Sequence, residues 1–314
     1  MAAPVKNVSV VSVNFNQPAV TEAMLSSFFL YNQYPHVEMI IVDNGSSVDP
    51  VPEWRIKYPT VTFIRSEINT GFAGGNNIGL KEATGDYLFL VNNDTEFTEG
   101  LITQLVNTLN DHPETAIVSP KIRYYQQPDV LQYAGFTFMN FFTARNDCIG
   151  QFEKDNGQYD NTSGPTGYAH GAAMMLKKEA VEKAGLMKEN YFLYYEEMDW
   201  CERIKRAGYD IRTNMQALVY HKESVSVGQK SALKEFFMNR NRILFIRRNA
   251  AWYQRWFFYP YFLLIVTPRN IISYLREGHK AFIPILFRAI WWNMTHKCES
   301  GELGYELPGG RIRN

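Results

Sequence analysis

The sequence predicts an α/β fold: an open, mainly parallel sheet with helices on both faces, followed by a C-terminal helical extension that is basic and aromatic. Three observations lead there. Strand-like and helix-like stretches alternate through the first 230 residues, the pattern of a layered domain built on a largely parallel sheet. The strand-like runs are almost continuously apolar, so both of their faces must be covered. The charge then changes sign along the chain. Residues 231–300 hold eleven Lys or Arg against three Asp or Glu, net +8, while residues 1–230 are net −8 and the whole chain sums to zero. We therefore divide it into a body, 1–230, and an extension, 231–314. With 314 residues, 46% of them hydrophobic, the chain can bury one large core plus an appendage, and general disorder is excluded.

The elements follow in order. Val8 to Phe15, rich in β-branched residues, is the first strand, and Asn16-Gln17-Pro18 opens a helix carrying Met24, Leu25, Phe28 and Phe29. Val37 to Val42 is the second strand, closed by the polar run Asp43 to Ser47, and Val61 to Ile64 is the third. The glycine-rich segment Thr70 to Gly79 then enters a helix ending near Ala83. Gly85-Asp86 introduces the fourth strand, Tyr87 to Val91, which runs into Asn92-Asn93-Asp94-Thr95-Glu96. Between Val118 and Gly171 the pattern loosens, and a loop that long inside a domain is functional or mobile. Gly171 to Leu176 forms another strand and Lys178 to Gly185 a helix. Tyr194 to Gly208 is a helix with Met198, Cys201, Ile204 and Ala207 near one face and Gly208 as its stop. The apolar pair Leu218-Val219 leads to His221.

The first residues lack the charged-then-apolar pattern of a secretory leader, so a cytoplasmic location is expected. Cys148, Cys201 and Cys298 are an odd number without metal-ligand spacing and read as reduced thiols. In the extension, the uncharged run Trp256 to Pro268 has thirteen residues, short of the roughly 20 that span a bilayer. Arginines interleaved with Trp, Tyr and Leu suit a helix lying in the headgroup region of an anionic membrane. Packing against the acidic body, or an interface between copies, is the other reading. Nucleic acid is disfavoured, because the body has no basic surface signal of its own.

Ligands of open sheets collect beyond the carboxyl ends of the strands, where Asn14 to Asn16, Asp43 to Ser47 and Asn92 to Glu96 all fall. The glycine-rich segment fits either a tight turn or a helix entrance whose amides approach phosphate. It does not match the dinucleotide fingerprint, since Ala73 stands where a glycine is needed and no such turn follows the first strand. That disfavours a nicotinamide oxidoreductase. Asp43 either accepts from a nucleobase imide or a ribose hydroxyl, or caps a turn with Ser46. Asp94 either holds Mg²⁺ or Mn²⁺ against a diphosphate, with Asn92 as a hydrogen-bonding neighbour, or caps the helix starting near Gly100. Glu196, Glu197 and Asp199 exceed what helix capping needs, although Asp199 with Arg203 is also spaced for an ion pair. One of the three is expected to be a general base, Glu197 first. His221 is either a metal ligand beside Asp94 or an ordinary histidine.

Taken together, Val10 to Asn16, Ile41 to Ser46, Asn69 to Asn77, Leu90 to Asp94 and Glu196 to Trp200 resemble the successive motifs of family 2 glycosyltransferases, the rhamnosyltransferase-like subgroup above all. The likeness runs over roughly residues 5–250. It implies a GT-A fold in residues 1–230, a dTDP- or UDP-linked sugar as donor, a divalent cation, and inversion at the anomeric carbon. By this resemblance Asp43 contacts the base or ribose, and Asn14, Asn16, Gly74, Gly75, Asn76, Asn77, Asn92 and Asn93 line the donor site. Asp94 and His221 hold the metal. Glu197 falls where the family usually has an aspartate base, and Asn92 replaces the first acid of its Asp-x-Asp pattern. Tyr191 and Trp200, with the stretch Tyr124 to Tyr168, are candidates for stacking on the acceptor sugar. The expected activity is hexosyl transfer to a glycan or lipid-linked acceptor in cell-surface polysaccharide or cell-wall synthesis, at the inner face of the membrane. A non-catalytic sugar-nucleotide-binding or scaffold protein of the same fold is the alternative.

Overall fold

The structure, a computed structural model, describes residues 5–223 and 231–307; the boundary expected at residue 230 lies outside the described residues. Ten strands form one sheet: β1 Val8–Asn14, β2 Val37–Asn44, β3 Val61–Ser66, β4 Tyr87–Val91, β5 Thr95–Glu96, β6 Thr115–Tyr124, β7 Leu131–Tyr133, β8 Gly164–Pro165, β9 Ala173–Lys177 and β10 Asp210–His221. Their order is β3-β2-β1-β4-β9-β6-β10-β5, with β7 beside β6 and β8 beside β10.

The first four strands are parallel, as expected. Beyond them the sheet is mixed: β9 runs antiparallel to both β4 and β6, and β5 antiparallel to β10. A parallel neighbour needs a helical crossover, and β9 is entered instead from the long excursion after β6. Residues alternate between the faces of the central strands. Val10, Phe89 and Val91 join one core with Met24, Leu25, Phe28, Leu101 and Leu105, whereas Val11, Leu88 and Leu90 join another with Ala73, Leu80, Trp200 and Ile204.

The helices are α1 Pro18–Tyr31, α2 Val51–Lys57, α3 Gly71–Glu82, α4 Leu101–Asp111, α5 Lys178–Ala184, α6 Glu196–Arg206, α7 Ala232–Asn249, α8 Trp252–Tyr261, α9 Thr267–Arg276 and α10 Phe282–Thr295, with a π-helical turn at Phe262–Val266 joining α8 to α9. The excursion expected to be loose is folded. Isolated bridges pair Val130 with Lys154, Phe136 with Cys148 and Asn140 with Arg145. The buried Asp155 carboxylate draws Lys121 to 2.9 Å and Arg123 to 2.6 Å, so the stretch is stapled to β6.

The basic extension divides in two. α7 packs inward: Phe236, Phe237 and Ile243 to Ile246 are buried, and Leu244 and Phe245 share a core with Trp200 and Ile204. Its Arg240 is wholly buried, lies 4.3 Å from the Trp292 ring and donates to the Leu303 carbonyl at 2.9 Å. Burial pushes that guanidinium down to about 9. The α8–α9 arm, in contrast, exposes Trp252, Trp256, Phe257, Leu263, Leu264 and Ile265. Phe142 of the excursion meets this arm, its ring 5.5 Å from that of Phe257. Among the described residues no helix is long and apolar enough to cross a membrane. The three cysteines are free.

Candidate active site

Asp94 follows β4, and His221 ends β10, paired in register with Thr95. Their side chains meet, Asp94 Oδ1 lying 3.0 Å from His221 Nε2. The other imidazole nitrogen, Nδ1, is 2.8 Å from the Gln132 amide oxygen, which only accepts. Nδ1 therefore carries the proton in the neutral ring, and Nε2 turns a lone pair toward a carboxylate. One oxygen and one nitrogen ligand, with the imidazole oriented by an amide behind it, fit a divalent cation that takes its remaining ligands from substrate and water. No group of three or more His, Cys, Asp or Glu that could hold a metal occurs among the described residues.

The segment His170-Gly171-Ala172 joins this pair to the acidic helix. The Asn92 amide donates to the Ala172 carbonyl at 2.9 Å. His170 accepts from the Ala172 amide at Nδ1, stacks on Phe136 and meets the His221 ring edge-on at 6.2 Å. Burial, then the neighbouring His221, holds it neutral down to about 3. A Cβ built on Gly171 would lie 3.8 Å from Glu197 Cγ. The His221–Asp94 pair and Glu197 are thus linked through one short segment.

The three acids of α6 have separate surroundings. Asp199 is buried and occupied: Arg203 Nε at 3.0 Å, Asn249 Nδ2 at 2.9 Å and the Tyr191 hydroxyl at 3.2 Å. Glu196 is also buried, its pKa raised well above the usual range by burial and by the charge of Glu197. Glu197 is half-buried, and desolvation raises its carboxyl too. The turn before α6 places Phe192, Tyr194 and Tyr195 at positive φ, a conformation costing a non-glycine residue about 1–3 kcal/mol.

At the strand ends, Asp43 is wholly buried and its oxygens are engaged: Asn14 Nδ2 donates to Oδ1 at 2.7 Å, and Arg65 pairs with Oδ2. Asn14 Oδ1 in turn accepts from the Thr21 hydroxyl at 2.9 Å, and Asn93 Nδ2 donates to the Thr21 oxygen at 3.0 Å. Asn16, exposed, holds Ser47, and Asn92 is half-buried. The network reaches from β1 across β2 to β3.

The helix begins at Gly71, and Gly74, Gly75, Asn76 and Asn77, expected to line the donor site, are buried within it. They pack closely: a Cβ on Gly75 would stand 2.8 Å from Val13 Cγ1, and Asn77 donates to the Met187 carbonyl at 2.9 Å. Tyr191 and Trp200 are wholly buried, Trp200 Nε1 donating to the Gly185 carbonyl at 2.8 Å, so neither offers a ring to a sugar. Sequence reasoning missed His170, Gln132 and Arg65. Only the His-Gly-Ala step ahead of a strand gave a signal; Gln132 and Arg65 act through contacts that the sequence does not encode locally.

Comparisons with known proteins identify the family and the fold. The profile of Glycosyl transferase family 2 matches residues 9–185. The chain is 24% identical over 272 residues to an N-acetylglucosaminyl-diphospho-decaprenol L-rhamnosyltransferase of Mycobacterium tuberculosis, covering 79% of this chain and 87% of that one. It is 27% identical over 224 residues to a low-salt glycan biosynthesis hexosyltransferase of Haloferax volcanii, covering 68% and 69%. A mannosyltransferase of Pyrobaculum calidifontis, solved with GDP-Man and Mn²⁺, superposes with a TM-score of 0.55 at 15% identity over 92% of this chain and 87% of that one.

Proposed function

The chain belongs to glycosyl transferase family 2 and has the GT-A fold, and from that premise we propose an inverting, metal-dependent hexosyltransferase. Its donor is a dTDP- or UDP-linked sugar, rhamnose foremost, and its acceptor a hydroxyl of a glycan or lipid-linked glycan in cell-surface polysaccharide synthesis. The observation that carries this reading is that segment 170–172 links the two acids: His170 meets the ring of His221, which pairs with Asp94, and Gly171 lies against Glu197. The mycobacterial relative, whose name gives a rhamnosyl transfer onto a diphospho-decaprenol sugar, supports the choice of sugar and acceptor.

A sugar hydroxyl is a poor nucleophile near neutral pH, so a carboxylate must take its proton as it attacks the anomeric carbon opposite the diphosphate. Glu197 suits the task because burial raises its basicity. Glu196 is raised by burial and by the charge of its neighbour, and Asp199 is tied to Arg203. Asp94 and His221 would hold Mg²⁺ or Mn²⁺, which when bound offsets the negative charge on the departing diphosphate. Asp43 and Arg65 set the strand ends against which the nucleoside rests, with Asn16, Asn92 and Asn93 nearest the exposed rim.

We place the enzyme on the inner face of the cell membrane. The exposed aromatic arm α8–α9 carries or adjoins Arg255, Arg269, Arg276 and Lys280, a pairing of apolar and cationic groups that suits an anionic headgroup layer.

In Glu197→Gln, turnover is expected to fall by about 10²–10⁴, the usual worth of a general base, with donor affinity kept. Turnover at the wild-type rate would move the base elsewhere. Mn²⁺ with the correct nucleotide sugar is expected to raise the melting temperature of the wild type, and Asp94→Asn to lose the Mn²⁺-dependent part of that rise.

A further inference from the structure

The turn that delivers Glu197 is built from conformations its own residues disfavour. Phe192, Tyr194 and Tyr195 all have positive φ and none is glycine, so each side chain crowds its own backbone. Phe192, at φ 65° and ψ −56°, is the centre of a γ-turn of the rare, strained hand, closed by the Leu193 amide donating to the Tyr191 carbonyl at 2.8 Å. Nothing local selects this shape, because a run of Tyr, Phe, Leu, Tyr and Tyr prefers extended backbone.

The carbonyls of the turn are held from outside it. Asn241, wholly buried on α7, brings its side-chain Nδ2 to 2.9, 2.8 and 2.8 Å from the carbonyl oxygens of Tyr191, Leu193 and Tyr194. The Phe72 amide takes the remaining one, Phe192, at 2.7 Å. One amide group therefore spans the γ-turn, with one acceptor before its centre and two after. This fixes the direction in which the chain leaves the turn, and so the axis on which α6 starts. Asn241 itself is wholly buried, and carbonyls deprived of its donor would favour another conformation.

We propose that Asn241 is a positioning residue for the general base: it holds the left-handed turn that sets the Glu197 carboxylate beside Gly171. The inference rests on Glu197 being the base. In Asn241→Ala, kcat per folded molecule is expected to fall by about 100-fold, the scale of a ~1 Å misplacement of a reacting group, with the donor dissociation constant unchanged. Adding Tyr194→Gly, which removes the penalty of the left-handed conformation, should restore part of kcat. Wild-type kcat per folded molecule with only a lower melting temperature would show a purely structural role and overturn the proposal.

Should Asn241→Ala not fold, Asn241→Gln takes its place, since it keeps the donor on a longer arm and must displace the carbonyls. Lowered kcat at unchanged donor affinity supports the proposal there, and wild-type kcat overturns it. Glu197→Gln is measured in parallel. An active Glu197→Gln overturns both readings, whereas an inactive one beside a fully active Asn241→Ala overturns this one alone.

Discussion

Glu196 and Glu197 are adjacent in sequence, yet the fold asks different things of them. Both have raised pKa values through burial, and Glu196 bears the repulsion between them as well. The folded state therefore keeps protons that the unfolded chain releases, and its stability falls as pH rises from the ordinary value of 4.5 toward the raised folded values. Glu196→Gln removes most of that slope. We expect its melting temperature to exceed the wild type's near pH 8. Well below pH 4.5, where both glutamates are protonated in either state, the gain should vanish. Thermal unfolding across that range checks it. The acid limb of the kcat profile should also sit above 4.5, because Glu197 must ionise against the same desolvation.

α3 shows how a glycine-rich segment can serve as a packing device. Its glycines bring the helix axis close to the sheet, and a Cβ on Gly79 would lie 2.4 Å from Val11 Cγ1. Gly79→Ala is expected to cost about 1–3 kcal/mol by overpacking. Gly164→Ala, where a Cβ meets nothing nearer than 3.8 Å, should stay within about 0.5 kcal/mol of wild type. Chemical denaturation of the pair tests the contrast; equal losses would mean that the helix relaxes away from β1. The helix α7 is the converse case. Its arginines suggested a surface, but Arg240 points inward, where the Trp292 ring and the Leu303 carbonyl receive its charge.

At the scale of the whole molecule, the acidic body and the aromatic arm form one object. Trp256 is 75% and Leu264 71% exposed, too much apolar surface on one arm to leave without a partner. Replacing Trp252, Trp256 and Leu264 together by serine is expected to weaken binding to anionic vesicles by tenfold or more, on the order of a few buried apolar side chains. Wild-type binding should also weaken with added salt, as the arginine contribution is screened. Co-sedimentation with vesicles reads both. Unchanged sedimentation together with loss of a dimer on gel filtration would identify the arm as an interface between copies.

Local pattern alone determined the alternating strands and helices, the parallel half of the sheet and the acid clusters at its rim. Val8 to Asn14, Val37 to Asn44 and Tyr87 to Val91 announce themselves because each buries both faces, and polar residues at their ends stand where such sheets bind ligands. Tertiary structure alone decided that β9 runs antiparallel, that Gly74 to Asn77 lie buried within a helix, and that Tyr191 and Trp200 are core. It also decided that Asn241 reaches the turn before Glu197 and Gln132 reaches His221. The reason is physical: periodicity and turn chemistry are written within a few residues, whereas a side chain's partner depends on which distant element folds against it.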